Sequence, residues 1–175
     1  GKRWADLEYM IKKRREPSKD RPTQPLEVGE ARLLAVLTLD ALQDKGMTSV
    51  GRELVQALAD TAMTDLVTLG EVKQVQDIVS RYGSAPLGGD GFIVQYIRGL
   101  QSYDRSREAH AASGKNAEEP TTDDAIKNMY REAAKTLEIA GNARDADRFA
   151  EERGNAGLLL GLSLFYAGDL QEAAD

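Results

Sequence analysis

The chain has 175 residues, 41% of them hydrophobic and 30% charged, with a formal net charge of −6 and no cysteine. This balance suits a folded chain with a core of its own, and the lack of cysteine excludes disulfides, thiolate metal sites and cysteine nucleophiles. No apolar run approaches the roughly 20 residues of a membrane span, and an acidic total disfavours non-specific nucleic-acid binding, which needs a basic surface.

The charge is unevenly spread. Residues 1–22 hold eight Lys or Arg against four Asp or Glu, so the remaining residues must carry −10. The first residue is Gly and not Met, which predicts that an N-terminal piece has been removed, a signal sequence being one candidate. The expected setting is a soluble protein of the cytoplasm or periplasm.

Residues 3–15 predict an amphipathic helix with Trp4, Leu7 and Ile11 on one stripe. Its end, Lys12-Lys13-Arg14-Arg15, reads as a solvated basic terminus, where cations suit the helix dipole. Pro17, Pro22 and Pro25 follow, so residues 1–26 are expected to form an N-terminal helix and Pro-rich linker, and residues 27–175 a helical domain.

From Glu30 the pattern stays helical. Leu33, Leu34, Leu37 and Ala41 share a face, widened by Val36 and Leu39, and Gly46 ends the helix. Thr48 or Ser49 offers the next N-cap, ahead of a stripe of Leu54, Leu58, Ala62, Leu66 and Leu69 that runs to Gly70. Val72, Val75, Ile78, Val79 and Tyr82 form another, closed by Gly83. Residues 84–91, with Pro86 and three glycines, predict a break, after which Phe92, Tyr96, Leu100 and Tyr103 open a helix. The polar stretch 105–122 predicts a long loop. Thr121 or Thr122, followed by Asp123-Asp124, is expected to cap a helix carrying Ile126, Met129, Tyr130, Ala133 and Leu137. A last helix holds Leu158 to Tyr166. No segment alternates with period two, so the expected fold class is all-α, built of antiparallel helical hairpins.

Chemistry-bearing residues are sparse. The sole histidine, His110, lies among small residues and reads as a surface side chain. Gly88-Gly89-Asp90-Gly91 lacks the following Lys and Ser/Thr of a phosphate loop and reads as an inter-helix turn. Glu118-Glu119 and Asp123-Asp124 lack the alternating ligands of a calcium loop and read as solvated or capping acids. No catalytic, cofactor-binding or metal-ligating residue is expected, and no cofactor.

Two segments match each other: Ala31-Arg32-Leu33-Leu34-Ala35-Val36-Leu37-Thr38-Leu39 and Ala156-Gly157-Leu158-Leu159-Leu160-Gly161-Leu162-Ser163-Leu164. Farther on, Leu160-Gly161, Leu164, Gly168 and Ala173 have the spacing of the tetratricopeptide (TPR) signature, with Gly157 where that signature opens on a large residue. A weaker copy runs through Ala62, Leu66, Gly70, Val75, Val79 and Tyr82, and a fragment through Ile126, Tyr130 and Ala133. The chain therefore resembles a degenerate tetratricopeptide-repeat protein.

This resemblance implies a TPR-like α-solenoid, or right-handed superhelix, that is truncated within its last repeat. Gly161 would sit where two helices come closest, with Leu164 between them. The implied function is a non-catalytic protein–protein interaction scaffold whose partner is another protein or a peptide, with no nucleic acid and no membrane span. The positions resembling groove residues are Asn155, Leu158, Leu162, Phe165 and Tyr166. The truncated C-terminal repeat offers a route to a homo-oligomer. The alternatives are a helical accessory domain of a larger enzyme, or a structural subunit of an oligomeric assembly.

Overall fold

The computed structural model describes residues 2–16, 25–83, 89–114 and 116–169, and the fold is all-α. Its helices are α1 (Lys2–Arg15), α2 (Val28–Leu42), α3 (Ser49–Thr68), α4 (Val72–Tyr82), α5 (Phe92–Ala112), α6 (Asp124–Gly141) and α7 (Ala150–Ala167), with a 3-10 turn at Ala146–Arg148 leading into α7. Pro17 and Pro22, residues 84–88, Ala173 and the expected start of a further helix after Gly168 lie outside the described residues.

Local chemistry sets several helix ends. The Thr48 hydroxyl accepts a hydrogen bond from the Gly51 N–H at 3.2 Å and starts α3. Gly70, Gly83 and Gly168 follow α3, α4 and α7 with φ of +79°, +75° and +85°, the left-handed conformation that glycine adopts without a Cβ clash. At α6 the cap is Asp123 and not either threonine: its Oδ1 accepts from the N–H groups of Ala125 and Ile126 at 2.9 and 3.3 Å. Thr121 is buried instead, and its N–H donates to the Tyr166 carbonyl at 2.9 Å.

The chain packs as two compact units, Gly1–Gly88 and Gly89–Asp175, with α1 inside the first. In that unit α2 and α3 run antiparallel: the Arg52 guanidinium, at the start of α3, donates to the Leu42 carbonyl at the end of α2, at 3.0 Å. Ala31, Leu34, Ala35, Leu39 and Leu42 of α2 are buried, as are Val55, Leu58, Ala62, Met63 and Leu66 of α3 and Val75, Ile78 and Val79 of α4. The Tyr82 hydroxyl donates to the Asp40 carboxylate at 2.7 Å and ties the end of α4 to α2. The expected α2 stripe is only half right: Leu34 is buried, whereas Leu33 and Leu37 are exposed, because the small Ala31 and Ala35 and the turn-bonded Thr38 face the core.

The second unit packs α5 along α6 and α6 along α7. Gly99, early in α5, lies against Leu137, late in α6, while His110, late in α5, meets Tyr130, early in α6. These two helices are therefore antiparallel. The Tyr130 ring stacks on Tyr166, late in α7, with centroids 5.4 Å apart, which sets α7 antiparallel to α6. At the other end Phe92 stacks on Phe149 at 5.0 Å, and Asn155 Nδ2 donates to the Tyr96 hydroxyl at 2.6 Å.

Three sequence expectations are corrected in this unit. Residues 105–112 belong to α5 and not to a loop, because Ser106 and His110 recur at helical spacing on its buried face. His110 is fully buried and not a surface residue. A Cβ on Gly161 would meet nothing within 4 Å, so that glycine does not mark a close helix approach. The close approach is at Gly99, where a Cβ would stand 2.7 Å from Leu137 Cγ.

Candidate binding groove

α2 carries more leucine than one core face can take. Once Leu34, Leu39 and Leu42 are buried, Leu33 and Leu37 remain on the side turned towards α1. α1 meets them with Leu7, Met10 and Ile11, a helical stripe. Only Ile11 of these three becomes buried. Between the two helices lies a groove of about 290 Å³, lined by Leu7, Met10, Ile11, Leu26, Leu33, Leu34 and Leu37. Three of its side chains stay largely open to solvent: Met10 at 66%, Leu33 at 60% and Leu37 at 48% exposure.

Polar contacts at the end of α1 hold this geometry. Arg14 Nη1 donates to both carboxylate oxygens of Glu30 at 2.8 Å, closing one end of the groove. The Glu30 carboxyl is held below its ordinary range by that arginine and by the Glu27 N–H. Arg15 pairs with Asp65, a buried carboxylate on α3. Asp65 also accepts from the Leu26 N–H at 3.0 Å, so one carboxylate fastens both the end of α1 and the entry to α2. A buried carboxylate needs such partners, since its desolvation is otherwise uncompensated. The two arginines pin the C-terminal end of α1 and leave the apolar channel towards its N-terminus unfilled.

The second unit has larger but more polar hollows, one of about 620 Å³ between Arg131, Lys135, Leu160 and Asp169 and one of about 540 Å³ beside Asp90, Glu138 and Arg144, and its aromatic centre is packed. His110 Nδ1 lies 3.3 Å from the Tyr130 hydroxyl, and its ring stands edge-on to Tyr130 and Tyr166. The Arg107 guanidinium lies 4.3 Å from the Tyr166 ring centroid. Burial pushes the Tyr130 and Tyr103 phenols above their ordinary value, so both are neutral near pH 7. This cluster is a packed polar-aromatic core. Among the described residues, no group of three or more His, Asp or Glu side chains is arranged to hold a metal ion.

Of the five positions singled out in the last helix, Tyr166 is buried in this cluster, with Leu162 and Phe165 packed against it. Asn155 is taken up by its bond to Tyr96. Leu158, at 62% exposure, is the one apolar side chain of the set that faces solvent. Reading the sequence picked Leu7, Ile11, Leu33, Leu34 and Leu37 only as core candidates; the signal it contained was that leucines 33, 34, 37, 39 and 42 span more than half of the α2 circumference.

No protein-family model matches the chain, and no curated protein or solved structure matches it. Among the described residues no helix is long and apolar enough to cross a membrane.

Proposed function

We propose that the chain is a non-catalytic helical module that binds another protein, in the manner of degenerate tetratricopeptide-like repeats, and that it docks its partner in the α1–α2 groove. The observation that carries this reading is the exposure of Met10, Leu33 and Leu37 around a leucine-lined channel. Exposed apolar side chains gathered in one place, unlike scattered ones, mark interaction surfaces. Each would gain about 25 cal/mol for every Å² that a partner covers. The repeat-like part of the reading rests on the sequence resemblance alone.

Comparative affinity capture tests it, with Leu33→Glu and Leu37→Glu beside the parent chain. Both positions are exposed, so the variants should keep their helical content. Proteins retained by the parent, lost by both variants and then reconstituted from purified components would bear the reading out. Partners that bind both variants undiminished and are lost on Leu158→Glu would move the docking surface to α7.

A further inference from the structure

The two charges that line the groove, Arg14 and Glu30, offset each other, and the asymmetry lies along its α1 rim. α1 holds six Lys or Arg and two Asp or Glu, in a unit, Gly1–Gly88, that balances thirteen Lys or Arg against thirteen Asp or Glu, so the rest of that unit is net acidic. It is therefore the positive element of that unit. On its helical wheel Arg3 falls beside Met10 on the groove edge, with Lys13 and Asp6 next to it. Arg3 and Lys13 are exposed, and Lys13 Nζ stands over the exposed Tyr9 ring, 5.6 Å from its centroid. Three of the six cations are already paired, Arg14 with Glu30, Arg15 with Asp65 and Lys12 with Glu8. The α2 edge offers apolar Leu33 and Leu37. The remainder of the first unit, net acidic, disfavours anionic ligands, and α1 is where that repulsion reverses.

Resting on the groove reading above, we propose that the partner element is an acidic amphipathic helix. Its apolar side chains, spaced i, i+3, i+4 and i+7, enter the channel over Leu7, Leu34 and Leu37, and its carboxylates face Arg3 and Lys13 along α1. A helix suits a channel that is itself the furrow between two helices. The 14 residues of α1 set its useful length at roughly 21 Å. A lipid surface fits less well, because Leu7 and Ile11 turn inward and the outward face of α1 mixes Tyr9 and Met10 with Asp6.

The test uses a synthetic helical peptide of about 15 residues, matched to that length, with leucine on one stripe and glutamate on both flanks. A charge-inverted lysine peptide and phosphatidylserine vesicles serve as comparison probes. The glutamate peptide should bind the full chain at least tenfold more tightly than the lysine peptide at low salt. That preference should shrink as ionic strength rises from about 0.01 to 1 M, where the screening length falls from roughly 30 to 3 Å. The Arg3→Glu/Lys13→Glu double variant should remove the preference, and Leu33→Glu should abolish binding of either peptide. Circular dichroism confirms that each variant remains folded. Equal or better binding of the lysine peptide, still lost on Leu33→Glu, would overturn the acidic partner and leave the groove standing. Binding of neither peptide would remove both. Vesicle binding indifferent to Leu33→Glu would replace the protein partner with a lipid surface.

Discussion

Replacing Gly99 by alanine places a Cβ 2.7 Å from both Cγ and Cδ2 of Leu137 and 3.3 Å from the Leu137 backbone nitrogen. Carbon atoms in favourable contact sit about 3.5–4.0 Å apart, so roughly 1 Å must be absorbed. Leu137 is buried and has little freedom to turn away. Its backbone lies just behind, so α5 and α6 must separate. Overpacking of this kind costs about 1–3 kcal/mol, offset by about 0.5–1 kcal/mol from exchanging a mid-helix glycine for alanine. The expected net effect is a destabilisation of about 1–2 kcal/mol. Gly161 on α7, where an added Cβ would find nothing within 4 Å, supplies the control. There alanine brings only the propensity gain, about 0.5–1 kcal/mol of stabilisation. Segment-resolved amide hydrogen exchange should show faster opening across α5 and α6 in Gly99→Ala and slower opening of α7 in Gly161→Ala. Trimming the partner supplies a second reading, because Leu137→Ala should cost less in the Gly99→Ala background than alone. If Gly99→Ala proved as stable as the parent, or the two glycine variants shifted alike, the close approach of α5 to α6 at this point would be refuted.

Two further outcomes follow from the ionic contacts. Asp65→Ala strands the Leu26 N–H and removes the partner of Arg15. Because Arg15 keeps about a third of its side chain in water, the loss should be about 2–4 kcal/mol, at the lower side of a broken buried pair. Chemical denaturation followed through Trp4, the sole tryptophan and a residue of α1, measures it; an unchanged midpoint would mean that Asp65 does not anchor α1. The second outcome concerns acid. The hydrogen bond from Arg131 holds the Asp169 carboxyl below its ordinary value of 3.8. A folded-state value lowered in this way contributes stability above pH 3.8 that is lost as pH falls through the lowered value. Asp169→Ala should therefore cost about 0.2–1 kcal/mol near neutrality, the range of an exposed pair. In strong acid, parent and variant should converge, and a difference that persisted there would show that the carboxylate's charge is not what matters.

The groove shows how far a sequence reading reaches for this chain. Leu7 and Ile11 were legible as one stripe of an amphipathic helix, and Leu33, Leu34 and Leu37 as another, since a period near 3.6 is written into the residue order. That Leu33 and Leu37 would remain in the open was not. It depends on α3 and α4 claiming the Ala31–Leu34–Thr38–Leu42 side of α2, and on Arg14 and Arg15 fixing where α1 comes to rest. Neither neighbour is encoded within α2.

The same division runs through the rest of the molecule. The all-helical class and several helix ends, at Thr48, Gly70, Gly83 and Gly168, follow from the sequence alone, because a cap or a left-handed turn involves residues only a few positions apart. The segment 105–112 looked like loop because alanine, serine and arginine carry little apolar signal; it is helix whose inner face is buried at Ser106 and at His110, the latter packed on Tyr130 of α6 and Tyr166 of α7. Gly161 sits in the more suggestive local motif, yet Gly99 is the glycine that two helices require. Burial, close approach and the open groove are properties of pairs of elements far apart in the chain, so only the tertiary structure decides them.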